Sequence, residues 1–178
     1  MKKGIFIILC FVGSMAFGIA TYSYFPHHVS KKMDKQVRKA FGKEVVYNAI
    51  APPDSLRVNH EIYQVQDQDS VAGYVMVTRA LGCRIGGCNK PKTDSFAFEQ
   101  FFFMTAFDAS KQIKQVRILE YTSNHGYEIA NKSWLKQFIK SDQFEVGVNI
   151  DGISGATISV VSLTNNINTQ LDVIQSLK

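Results

Sequence analysis

The chain has 178 residues, 46% of them hydrophobic and 20% charged, which suits one ordered domain with a core plus a short appendage and excludes a disordered chain. A net charge of +5, with the basic residues gathered in one place, excludes a nucleic-acid footprint. Lys2 and Lys3 precede an uncharged apolar run from Gly4 to about Phe25. About 20 apolar residues cross a bilayer as a helix, and this run reaches that length. Gly18-Ile19-Ala20 also offers a small-x-small cleavage site, but a retained anchor is the preferred reading over a cleaved signal. Lys31, Lys32, Lys35, Arg38 and Lys39 follow the run and outnumber Lys2 and Lys3, which by the positive-inside tendency alone would keep this side cytoplasmic. A tiny stub before the first span resembles an uncleaved signal, so export is expected.

Val29, Met33, Val37 and Phe41 recur at spacings of four, predicting an amphipathic helix over Val29–Phe41. Its basic face reads either as contact with anionic headgroups or as a solvated surface. Ala51-Pro52-Pro53-Asp54 breaks the chain. The expected division is therefore 1–25 anchor, 26–53 basic amphipathic linker and 54–178 folded domain.

Beyond the prolines, Val58–Gln66 and Val71–Arg79 read as strands joined by a turn at 66–70. Phe96–Phe107 is apolar on both faces and reads as a central strand, with Phe101, Phe102 and Phe103 as strand core. Ile113–Tyr121 follows a turn at 108–111, and such short connections favour antiparallel neighbours. Asn131–Ser141 reads as a helix with Trp134, Leu135 and Phe138 inward. The final helix, about Ala156 to Leu177, carries Val160, Leu163, Ile167, Leu171 and Ile174 on one face, with Ser154 as its expected N-cap. The fold class is α+β: a twisted, mostly antiparallel sheet with peripheral helices, preceded by one N-terminal transmembrane helix.

The segment Asp151-Gly152-Ile153-Ser154-Gly155-Ala156-Thr157 leads into that last helix. Its glycines allow a tight turn and close approach of another molecule, and a helix start offers unpaired N–H groups to a phosphate. On spacing alone this is an ordinary helix start. As a motif it resembles the flavin-attachment site of the FMN-binding domain family, which includes the C subunit of the sodium-translocating NADH:quinone oxidoreductase and the G subunit of the Rnf complex. That motif reads Asp, two loose positions, Ser or Thr, Gly, Ala, Thr, and each fixed position is matched. Gly73-Tyr74-Val75 is similar to the family's strand before a glycine-rich loop. Phe103–Phe107, Ile113 and Val116–Glu120 resemble its central hairpin, and Trp134 and Phe138 its Trp-x-x-x-Phe helix.

The resemblance implies FMN bound covalently by a phosphoester to Thr157, placed there by a separate flavin transferase. Asp151, Ser154, Gly155 and Ala156 would shape the turn and serve recognition by the transferase. Where the family has a Glu-Thr-Pro-Gly turn against the flavin, this chain has Ser123-Asn124-His125-Gly126, keeping only Gly126, so the ring contacts and potential are expected to differ. His125 and Glu128 remain candidate polar contacts, with ordinary surface positions the plainer reading. Cys83-Arg84-Ile85-Gly86-Gly87-Cys88 replaces the glycine-rich loop. Outside the cytoplasm, Cys83 and Cys88 read first as a structural disulfide and second as a redox-active dithiol. No metal site or catalytic side chain is expected.

The function expected is that of an electron carrier rather than a stand-alone enzyme. It would sit on the extracytoplasmic side of a bacterial inner membrane, single-pass, held in lipid by the N-terminal helix and facing a membrane or periplasmic redox partner. The rival readings are a flavin-binding sensor or regulatory module and a thiol–disulfide protein using Cys83 and Cys88.

Overall fold

The alternation of side chains along the extended runs builds a single antiparallel sheet. The computed structural model describes residues 25–84, 98–122, 125–139 and 141–177. Its strands are β1 (Val46–Ile50), β2 (His60–Asp67), β3 (Ser70–Arg84), β4 (Phe98–Asp108) and β5 (Ile113–Tyr121), paired in the order β1-β2-β3-β4-β5. Each strand lies beside its neighbour in sequence, with tight turns joining β2 to β3 and β4 to β5 and longer segments joining β1 to β2 and β3 to β4. Positive φ angles at Gln68 (53°) and Lys111 (65°) close the two tight turns expected at 66–70 and 108–111. β1 was not legible in the sequence: it is an edge strand that buries no side chain completely and shows no clean alternation.

The sheet has two buried faces. On one side α1 (His27–Phe41) lays Val29, Met33 and Val37 onto Val65, Val75, Val77 and Met104. On the other, α3 (Thr157–Ser176) packs Val160, Leu163, Ile167 and Ile174 against Met76, Phe101, Phe103 and Phe107. The phenylalanine run therefore divides between faces, with Phe102 turned toward the α1 side. This is the α+β arrangement expected.

Between β5 and α3, α2 (Lys132–Leu135) is one α-turn continued by a 3₁₀ turn over Lys136–Ile139, shorter and tighter than the expected 131–141 helix. Asn131 caps it, accepting from the N–H groups of Ser133 (2.8 Å) and Trp134 (3.4 Å). Leu135 and Phe138 are buried, as expected of its inner face. No helix among the described residues is long and apolar enough to cross a membrane. The apolar run that ends at Phe25, and with it Cys10, lies outside the described residues save for Phe25 itself.

Candidate functional site

The start of α3 differs from the expected capped helix. Ser154 is exposed and is not the N-cap; Ala156 holds that position and has no side chain with which to cap. The cause is local. Gly155 takes a left-handed φ of 81°, and the Ala156 N–H closes a turn onto the Ile153 carbonyl at 3.0 Å, so the helix begins after the serine. The first bond of the helical ladder runs from Val160 N–H to the Ala156 carbonyl at 2.9 Å. The N–H groups of Thr157, Ile158 and Ser159 precede it, and no described side chain caps them.

Thr157 is exposed, whereas Ala156 before it is fully buried in the core. Among the described residues, a Cβ added at Gly152 or Gly155 would meet nothing within 4 Å. The first turn of α3 holds no acidic side chain. Free donors and the positive end of a helix together suit a phosphate.

Both ends of this segment are anchored. At its start, the Asp151 carbonyl accepts from Trp134 Nε1 at 2.9 Å, and the Asp151 N–H donates to Gln137 Oε1 at 2.8 Å. The Asp151 carboxylate is left on an exposed residue. At its end, the buried Ser159 Oγ lies 2.7 Å from the Tyr121 hydroxyl, which itself donates to the His125 carbonyl at 2.8 Å. A phenol has one proton, so Ser159 is the donor to Tyr121. Tyr121 also stacks on Phe101 at 5.4 Å between centroids, and burial pushes its phenol above the usual value.

Gly126 joins the same cluster. Its φ is 87°, and a Cβ there would lie 2.5 Å from the Tyr121 oxygen, 2.9 Å from Ser159 Oγ and 3.1 Å from Cys83 Sγ. Only a glycine lets the 125–127 loop approach so closely. Cys83 is fully buried at the end of β3, with Sγ 3.9 Å from the Gly155 carbonyl oxygen and 3.8 Å from Ser159 Oγ. Cys88, Ser123 and Asn124 lie outside the described residues.

The structure thus brings Asp151, Ser154, Gly155, Ala156, Thr157, Gly126 and Cys83 to one end of the molecule. His125 and Glu128 are exposed beside it. Sequence reasoning missed Tyr121, Gln137 and Ser159. The last sits two residues after Thr157 and was the one with a readable signal, a hydroxyl on the buried side of the helix. Among the described residues no group of three or more His, Cys, Asp or Glu side chains could hold a metal ion.

Against known proteins, residues 99–172 match the family model of the FMN-binding domain. The match spans β4, β5, α2, the 151–157 turn and most of α3. No curated protein matches the chain.

Proposed function

We propose that this chain, whose residues 99–172 form an FMN-binding domain, carries FMN joined through a phosphoester to the Thr157 hydroxyl and serves as an electron carrier. The observation that carries the reading is the uncapped start of α3 with Thr157 exposed in its first turn. The N–H groups of Thr157, Ile158 and Ser159 would hold the phosphate, and Gly152 and Gly155, where an added Cβ meets no described residue within 4 Å, would leave it room. Trp134 and Gln137 fix the entry to the turn, while Ser159, Tyr121 and Gly126 fix its exit. Asp151, Ser154, Gly155 and Ala156 present the segment to a flavin transferase. Bound FMN supplies the redox chemistry; the protein positions it and sets its surroundings.

The apolar run ending at Phe25 is long enough to hold the domain at a bacterial inner membrane, on the extracytoplasmic side, facing a membrane or periplasmic redox partner. A covalent bond suits that compartment, because a dissociated flavin would be lost. The exposed Thr157 favours this carrier over the thiol–disulfide reading, in which Cys83 would act from a buried position.

The test is co-expression with a flavin transferase followed by complete denaturation. Intact mass should rise by one FMN less one water, with flavin fluorescence remaining on the denatured band, and Thr157→Ala should abolish both. Loss of all flavin on denaturation would exclude the covalent bond.

A further inference from the structure

The outward face of α1 has no role in the flavin reading, yet it gathers four exposed lysines. Lys31, Lys32, Lys35 and Lys39 recur at i, i+1, i+4 and i+8 and are all exposed. They lie opposite Val29, Met33 and Val37, which are buried against the sheet. The apolar side of α1 is thus committed to the domain, and the helix cannot insert that side into a bilayer. What it offers outward is charge.

Among the described residues that charge is not neutralised from within. Asp34 is the one acidic residue of α1, and Arg38 Nε binds both of its oxygens, at 3.1 and 3.2 Å, while Tyr47 donates to it at 3.2 Å. Glu120 on β5 pairs with His28 at 2.5 Å. Glu44 is exposed beyond the end of the helix. None of the four lysines has an ion pair with these carboxylates.

The stripe is also held close to the apolar run. Phe25 is buried and meets Phe102 edge-on at 5.5 Å between centroids, so the last residue of the run is docked on the sheet beside α1. Pro26 then sets an extended backbone (φ −56°, ψ 140°), which lets α1 leave at an angle to whatever precedes it. At 1.5 Å per residue, Lys39 is only about 20 Å along the helix from Pro26.

We infer that the lysine stripe of α1 rests on anionic lipid headgroups and fixes how the domain sits on the membrane. The inference depends on the anchoring reading of the N-terminal run. A lipid surface fits better than an acidic protein because it is the one negatively charged surface that the run itself would bring within a Debye length.

The full-length chain is reconstituted into nanodiscs of phosphatidylcholine, alone or mixed with phosphatidylglycerol, and lysines are acetylated in a timed pulse read by mass spectrometry. Lys31, Lys32, Lys35 and Lys39 should react about fivefold more slowly in the anionic discs, with protection lost at high salt. The exposed Lys132 of α2 and Lys136 of the 3₁₀ turn after it serve as references and should not change. Lys35→Glu should speed the reaction of the other three. Equal rates in both discs would overturn the inference and give the stripe to solvent or an acidic protein. A chain that enters neither disc would overturn the anchoring reading instead.

Discussion

α1 buries only Val29, Met33 and Val37 against its side of the sheet, whereas α3 buries Ser159, Thr164 and Gln170 among its apolar residues. On the α3 side a chain of bonds crosses from helix to sheet. Gln170 Nε2 donates to Thr78 Oγ1 at 2.7 Å, and Thr78 lies 2.7 Å from His60 Nδ1 on β2. The single Thr78 hydroxyl thus links Gln170 of α3 to His60 of β2. Apolar burial sets how strongly a helix is held but tolerates sliding; directional bonds between buried groups set where it is held. A site built on the first turn of a helix needs the second kind of restraint, and α3 has it at both ends, through Ser159 and through Gln170.

The contrast can be broken most heavily by deleting core volume. Phe103→Ala empties a fully buried site under α3 and should cost about 3–5 kcal/mol in urea titration, against about 1–2 kcal/mol for Val37→Ala under α1. A loss at Val37 as large as that at Phe103 would show that the two faces are equally tight.

Gly126→Ala forces a Cβ to 2.5 Å from the Tyr121 oxygen at a φ of 87° and should cost about 2–3 kcal/mol. Because the nearest obstacle is that oxygen, Tyr121→Phe in the same chain should recover part of the loss. A double variant no better than the sum of the singles would mean that strain, not crowding, sets the cost.

The smallest effect is pH-dependent. Burial pushes the His60 imidazole down to about 4 from its usual range near 6.5. The unfolded chain therefore binds the proton more readily, and stability present above about pH 6.5 is lost as pH falls toward 4. The expected loss is about 1–2 kcal/mol between pH 7 and pH 4.5, by chemical denaturation, and His60→Gln should flatten that slope. An unchanged slope would assign the acid sensitivity to other groups.

Much of this was legible. Strand β5 coincides with the expected Ile113–Tyr121, and the α3 heptad-like spacing predicts a buried face that the structure confirms. Local chemistry misled at Ser154, a good capping residue displaced from its role by the left-handed Gly155 that follows it. β1 was invisible because an edge strand is held chiefly by its backbone ladder to β2, which leaves little mark on side-chain type. The clustering of Cys83, Tyr121 and Ser159 spans up to 76 residues of sequence, a distance over which one chain read alone carries no signal. His60 reads as one more position in an alternating strand; only the arrival of Gln170 from α3 makes it part of a network.

The strand order bears on how the 151–157 turn is held. The β2–β3 and β4–β5 hairpins close over tight turns, while the β3–β4 pairing closes over a longer segment of chain. α3 follows all five strands in the chain and packs across one face of the sheet they form. The turn before Thr157 lies against Cys83 at the end of β3, and Ser159 just beyond it bonds Tyr121 at the end of β5. If a transferase recognises this turn, as proposed, it would read a segment whose neighbours come from β3, β5 and α3 at once.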